Sequence, residues 1–276
     1  MERRILVILL VAAVLVSAAA AWFTLAGLPF GHGREALQPQ AVDRALESFH
    51  AIRIRGVADV ALVQGTTPSI RIETSGNVPA VAQVERGTLV ISSGGNQRDW
   101  RRWFLDREPK TRPKVTITFT DLDRIAISGN VEAHATALRV PKLAIEVSGA
   151  GTLDLRGLDV DELRIEGSGS VKANVAGRAT AQRIEISGAG EYEAADLASE
   201  RAQVDVSGAG NVVVNAAKSL AVSISGAGQV SYLGDPALTK SISGLGRVRQ
   251  LSGKRETRVD DRRPPAPPRH HRLLVA

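Results

Sequence analysis

The chain has no cysteine, a single methionine, and aromatic residues at only 4% of its 276 positions. Without thiols, disulfides, zinc–thiolate sites, thiol catalysis and a lipoprotein anchor are excluded. So few large rings argue against a deep, wide core and for a thin or repetitive one. The chain also lacks a basic body, although its formal charge is +6. Residues 1–34 hold three basic and one acidic group, residues 252–276 seven and three, and residues 35–251 twenty-five of each. A nucleic-acid-binding domain carries its excess on the folded face that meets phosphates. Here the excess lies in the flanks and in residues 98–114, with seven basic and three acidic groups, so nucleic acid is excluded as the expected partner.

Arg3 and Arg4 are followed by about 26 residues without charge, Ile5 to Phe30, which include the small-residue stretch Ser17–Ala21. A short basic segment, an apolar stretch and an Ala-x-Ala site make a secretory signal. The run is also long enough to cross a bilayer as a helix, with the arginines on the cytoplasmic side. Residues 1–30 are thus expected to be a cleaved signal peptide or an N-terminal membrane anchor, and both readings imply export.

What the chain has in abundance is glycine, 26 residues of it, arranged in a repeat. The blocks VSGAGTL (147–153), IEGSGSV (165–171), ISGAGEY (186–192), VSGAGNV (206–212), ISGAGQV (224–230) and ISGLGRV (242–248) follow a shortened copy, ISGNV (127–131). IRGVADV (54–60) fits the same template. Aligned this way, the first glycines stand at 129, 149, 167, 188, 208, 226 and 244, one unit every 18 to 21 residues. Aliphatic residues alternate before the glycines (Leu143, Ile145, Val147) and after them (Val171, Ala173, Val175), the period of a strand with one face buried. Gly-x-Gly offers the positive φ and small size of a corner, and a second corner is expected at stretches such as Gly157–Glu162 and Gly177–Thr180. About 20 residues cannot hold two strands and a crossover helix.

Strand, corner, strand, corner predicts an all-β fold, a single-stranded parallel β-helix of about eight coils, expected to be right-handed, with coils 4.7–4.9 Å apart. An antiparallel sandwich of hairpins would prefer Asn-Gly or Asp-Gly turns, which the repeated corners lack. These blocks, together with FHAIRIRGVADVALVQG (49–65), GTLVIS (87–92) and KVTITFTDLDRIAISG (114–129), resemble the auto-transporter adhesin head GIN domain family over residues 46–250. The resemblance implies a β-helical fold outside the cytoplasm and an adhesin-like role. It supplies no catalytic residues.

Several positions invite a functional reading. Ser148, Ser187, Ser207, Ser225 and Ser243 occupy one slot of successive coils, a hydroxyl column that Arg55 and Glu166 interrupt in this alignment. Serine before a tight corner also bonds nearby backbone, and that structural role is the simpler one. The slot Thr152, Ser170, Glu191, Asn211, Gln229, Arg247 varies freely, which argues against repeat-bound calcium. Asp154, Asp159, Asp161, Glu162 and Glu166 are dense but stand close to Arg156 and Arg164, as solvated corner charges do. His50 and His134 are isolated in sequence, so no catalytic triad, metal site or cofactor is assigned. The binding residues expected from sequence are Trp100, Arg101, Arg102 and Trp103, in the insertion 96–114. Rings interleaved with cations suit envelope glycans, anionic lipid or another surface protein, and the same segment could cap the open end of the helix. Residues 252–276, with RRPPAPPRHHR, read as a disordered basic tail whose His270 and His271 are incidental.

Together these observations predict a non-enzymatic exported protein of the periplasm, envelope or cell surface, presenting an elongated face for adhesion or scaffolding. A carbohydrate-active β-helix enzyme would instead need a lateral groove with converging carboxylates. A self-assembling structural protein would need an uncapped terminal coil.

Overall fold

Alternating aliphatic residues become strands here because β-branched side chains suit a pleated surface half-buried against a core. The computed structural model describes residues 40–74, 80–94 and 112–251, which form fifteen strands and, among the described residues, no helix. They are β1 (Gln40–Ala45), β2 (Ala51–Gln64), β3 (Ser69–Thr74), β4 (Ala80–Glu85), β5 (Thr88–Ser93), β6 (Lys114–Phe119), β7 (Arg124–Thr136), β8 (Arg139–Val147), β9 (Ala150–Gly167), β10 (Ser170–Ile186), β11 (Ala189–Val206), β12 (Ala209–Ile224), β13 (Ala227–Leu233), β14 (Ala237–Ile242) and β15 (Arg247–Gln250). The expected export segment 1–30, residues 96–111 of the insertion and the tail 252–276 lie outside the described residues.

From β2 through β7 to β15 the repeat strands pair in parallel, winding a β-solenoid of about six turns. That is fewer than the eight coils expected. At the N-terminal end the regular winding is interrupted: β5 and β6 still pair with β2 in parallel, but β3 runs against β1 and β6, and β4 and β5 form a hairpin. The hairpin turn has positive φ at both central residues, Arg86 (49°) and Gly87 (74°), as tight two-residue turns require.

Parallel register stacks like on like. Ile52, Ile125, Ile145, Ile165, Ile184, Val204 and Val222 form one continuous inward column, each partnered with the next. All seven are buried, and full burial of one such side chain contributes roughly 1.5–3 kcal/mol. The eighth position of this column is Lys240, and it is exposed.

The two kinds of corner differ from expectation in an instructive way. At the first corner only the two earliest copies, Gly56 (100°) and Gly129 (152°), have a positive φ and none of the SGAG glycines does; at the second corner Gly157 (63°) and Gly177 (135°) bend a strand without ending it. The first glycine of each SGAG is needed for close approach instead. A Cβ on Gly149, Gly169, Gly188, Gly208, Gly226 or Gly244 would lie 2.0–2.2 Å from the carbonyl oxygen of the glycine one coil below. The column therefore runs through Gly169, not Gly167, and the IEGSGSV copy is shifted by two residues from its sequence alignment. Gly167 instead takes the core slot of Val147.

One polar network crosses the aliphatic core. The Tyr192 hydroxyl donates to Gln182 Oε1 (3.0 Å), Gln182 Nε2 donates to Ser199 Oγ (2.8 Å), and Ser199 Oγ donates to the Asn215 carbonyl (2.6 Å). Burial pushes the Tyr192 phenol far above its ordinary pKa, so it remains a donor. Tyr192→Phe leaves Gln182 Oε1 without that donor, and urea unfolding is expected to show a loss of about 1–3 kcal/mol.

Candidate functional site

Moving Gly169 into the glycine column also repairs the hydroxyl column. Ser128, Ser148, Ser168, Ser187, Ser207, Ser225 and Ser243 precede the stacked glycines in an unbroken ladder, with Arg55 beneath it. Glu166 does not interrupt the ladder. The serine amides bond the coil below at 2.8–3.0 Å, for example Ser187 N to the Gly167 carbonyl at 2.8 Å. Their hydroxyls reach that coil only at long range, 3.3 Å from Ser148 to Ile127 O and 3.4 Å from Ser187 to Gly167 O, so they retain hydrogen-bonding capacity toward solvent. The same two-residue shift puts Lys172, not Ser170, in the slot beside Glu191, where the two pair at 3.0 Å.

Two residues before the serines stands a second column. Glu146, Glu166, Glu185 and Asp205 are successive register partners on the outer face, flanked below by Ala126 and Arg53. Two residues earlier again, Arg164 and Arg183 are partnered. Each bridges two coils: Arg164 pairs with Glu166 and with Glu185 (3.4 Å), and Arg183 with Glu185 (2.6 Å) and Asp205 (3.4 Å). Arg124 reaches Glu146 at 3.9 Å. The hydrogen bond from Arg183 holds the Glu185 carboxyl below the usual carboxylate range, and the neighbouring Arg164 adds to the effect. The carboxylate and serine columns line a shallow lateral groove of about 590 Å³ that runs along the solenoid from Arg53 to Ser225.

The other acidic candidates are distributed differently. Asp154 pairs with Arg156 (3.0 Å), Asp159 with Arg178 (3.0 Å) and Glu162 with Lys142 (3.2 Å), each at the surface, as solvated charges do. His50 packs its ring over Gly87 at the β4–β5 turn. His134 is not isolated: its ring lies with the carboxylates of Asp59 and Glu132, their ligating atoms within 4.8 Å of one another. Asp59 and Glu132 meet because β2 and β7 pair directly, a juxtaposition that no local spacing in the sequence encodes. The grouping could hold a divalent cation. Glu132 is engaged by Arg112, while Asp59 Oδ1 is buried without a partner among the described residues. Trp100, Arg101, Arg102 and Trp103 lie outside the described residues; of the insertion's cations only Arg112 and Lys114 fall within them, and Arg112 also bonds Asn130 at 3.2 Å.

No curated protein matches the chain. Among solved structures, it resembles a "putative adhesin" of Bacteroides fragilis (TM-score 0.65, 23% identity), with 78% of this chain and 98% of that one covered. A "putative lipid binding protein" of Parabacteroides distasonis aligns with TM-score 0.60 and 23% identity over 78% and 97% of the two chains. A "putative adhesin" of Parabacteroides merdae aligns with TM-score 0.56 and 22% identity over 78% and 96%. At these identities the likeness shows the shared solenoid fold. The family model described as "Putative auto-transporter adhesin, head GIN domain" matches residues 48–236, which span β2 to β13, the ladder serines from Ser128 to Ser225 and the carboxylate column, and the chain belongs to that family.

Proposed function

We propose that this protein is an exported, non-enzymatic adhesin-like protein of the cell envelope or surface, and that its lateral serine–carboxylate face is the face it presents. The observation that carries the reading is the unbroken ladder of seven serines beside an arginine-neutralised carboxylate column. Such a face offers the same donors and acceptors once per coil, roughly every 4.8 Å. A repeating polar partner such as an extended glycan can meet them in register, each bond individually weak and the array collectively specific. The family's name and the names of two structural neighbours support the adhesin-like part of the reading.

The pairing of the carboxylates supports a charge-compensated binding face: each of Glu146, Glu166, Glu185 and Asp205 has an arginine within 4 Å.

A glycan array probed with the full chain tests the proposal. Retention of at least one extended glycan is expected, with affinity at least tenfold weaker in a Ser148→Ala, Ser187→Ala, Ser207→Ala triple variant. No glycan retained, unchanged binding by the variant, or shortening of the retained glycan during incubation would each overturn it.

A further inference from the structure

The ion pairs of the solenoid stop abruptly before its last coil. Every lysine and arginine from Arg124 to Lys218, ten in all, has a carboxylate within 4 Å. The three that follow, Lys240, Arg247 and Arg249, have none among the described residues. Residues 219–251 contain only one acid, Asp235. The exposed large aliphatic residues are concentrated in the same coil: Leu245 is 88% exposed, Ile242 41% and Leu238 37%. On the free side of β14 and β15, among the described residues, no strand pairs.

Unpaired cations around exposed aliphatic side chains form a surface that neither water nor a second protein strand suits well. A polar solvent leaves the leucines uncovered, and Lys240, standing in the core-facing slot above Val222, opposes a stacked aliphatic partner. An anionic lipid surface satisfies both parts, with phosphates meeting the cations and the headgroup–acyl boundary receiving the aliphatic tips. We infer that the terminal coil, through Lys240, Arg247, Arg249 and Leu245, docks on an anionic lipid membrane. This contact is separate from the lateral face and lies at the end of the solenoid opposite β1.

Cosedimentation of the full chain with phosphatidylcholine vesicles, with and without phosphatidylglycerol, tests the docking. The basic tail is left intact in every variant, so its contribution is constant. Binding is expected only to vesicles containing phosphatidylglycerol. It should fall at least tenfold in a Lys240→Gln, Arg247→Gln, Arg249→Gln variant, and severalfold in Leu245→Ser at a salt concentration that screens the charges. The Ser148→Ala, Ser187→Ala, Ser207→Ala variant should bind vesicles like the wild type, which separates this result from that of the glycan array. Three outcomes would overturn the inference: no binding to anionic vesicles, equal binding to neutral ones, or wild-type binding by the triple charge variant. Circular dichroism of each variant establishes that it is folded.

Discussion

Gly208→Ala is expected to lower the stability of the solenoid by about 3 kcal/mol or more, whereas Gly210→Ala, two residues along in the same SGAG block, costs under about 1 kcal/mol. A methyl group on Gly208 would sit 2.0 Å from the Gly188 carbonyl oxygen, and backbone held by ladders on both sides cannot retreat from it. The coils must separate locally, which weakens bonds such as Ala209 N to Gly188 O at 2.9 Å. A methyl group on Gly210 meets the Gly190 carbonyl oxygen at 3.1 Å and the Ile186 side chain at 3.6 Å, contacts that a small adjustment relieves. Gly244→Ala should fall between the two, because the last coil has the same close contact below it, 2.1 Å from Gly226 O, and is free to lift. Thermal unfolding checks the order. At roughly 2–4 °C per kcal/mol for a domain of this size, Gly208→Ala should melt about 6–12 °C below the wild type. Equal effects at Gly208 and Gly210 would show that close approach to the coil below is not what Gly208 is needed for.

Lys240→Val is expected to turn the terminal coil into an association surface. The substitution completes the inward column with an eighth aliphatic residue above Val222 and removes the charge that an approaching strand would have to bury. Open strand edges flanked by Leu238, Ile242 and Leu245 then have little to oppose edge-to-edge pairing. Sedimentation velocity across a concentration series should show oligomers for Lys240→Val and a concentration-independent species for the wild type. Lys240→Arg, which retains the charge, should behave as the wild type does. A wild-type chain that already forms filaments would favour the self-assembly reading, and a monomeric Lys240→Val would show that Lys240 is not what keeps the end open.

Much of this architecture is legible in local pattern. Alternation such as Leu143, Ile145, Val147, repeated with glycines about every 20 residues, is enough to predict stacked parallel coils, because each strand can bury its apolar face only against a copy of itself. The scarcity of aromatic residues agrees with a core built from columns of isoleucine and valine, with Tyr192 the largest fully buried side chain among the described residues. The antiparallel opening is less legible. Strands such as Ser69–Thr74 and Ala80–Glu85 alternate like any others, and only their pairing partners make them antiparallel.

The candidate sites divide in the same way. The serine column is visible as a repeat, yet its continuity through Ser168 depends on which glycine of IEGSGSV stacks, and two glycines two residues apart look equivalent in sequence. The carboxylate column is hidden because Glu146, Glu166, Glu185 and Asp205 are each about 20 residues apart and acquire meaning only once the coil length is known for every copy. The grouping of Asp59 with Glu132 and His134 is harder still, since 73 residues separate its first two members. Lys240 looks like any surface lysine in the segment ALTKSI until the register places it above Val222.

Strand period, coil length and the aliphatic, aromatic-poor core are properties of residue order, because they follow from interactions between a residue and its near neighbours or its own repeat. Which glycine meets a carbonyl of the coil below, which carboxylates share an arginine, and which coil ends the run of ion pairs emerge only when the coils stack. Those properties depend on the register between coils, and register is set by the summed packing of every column at once.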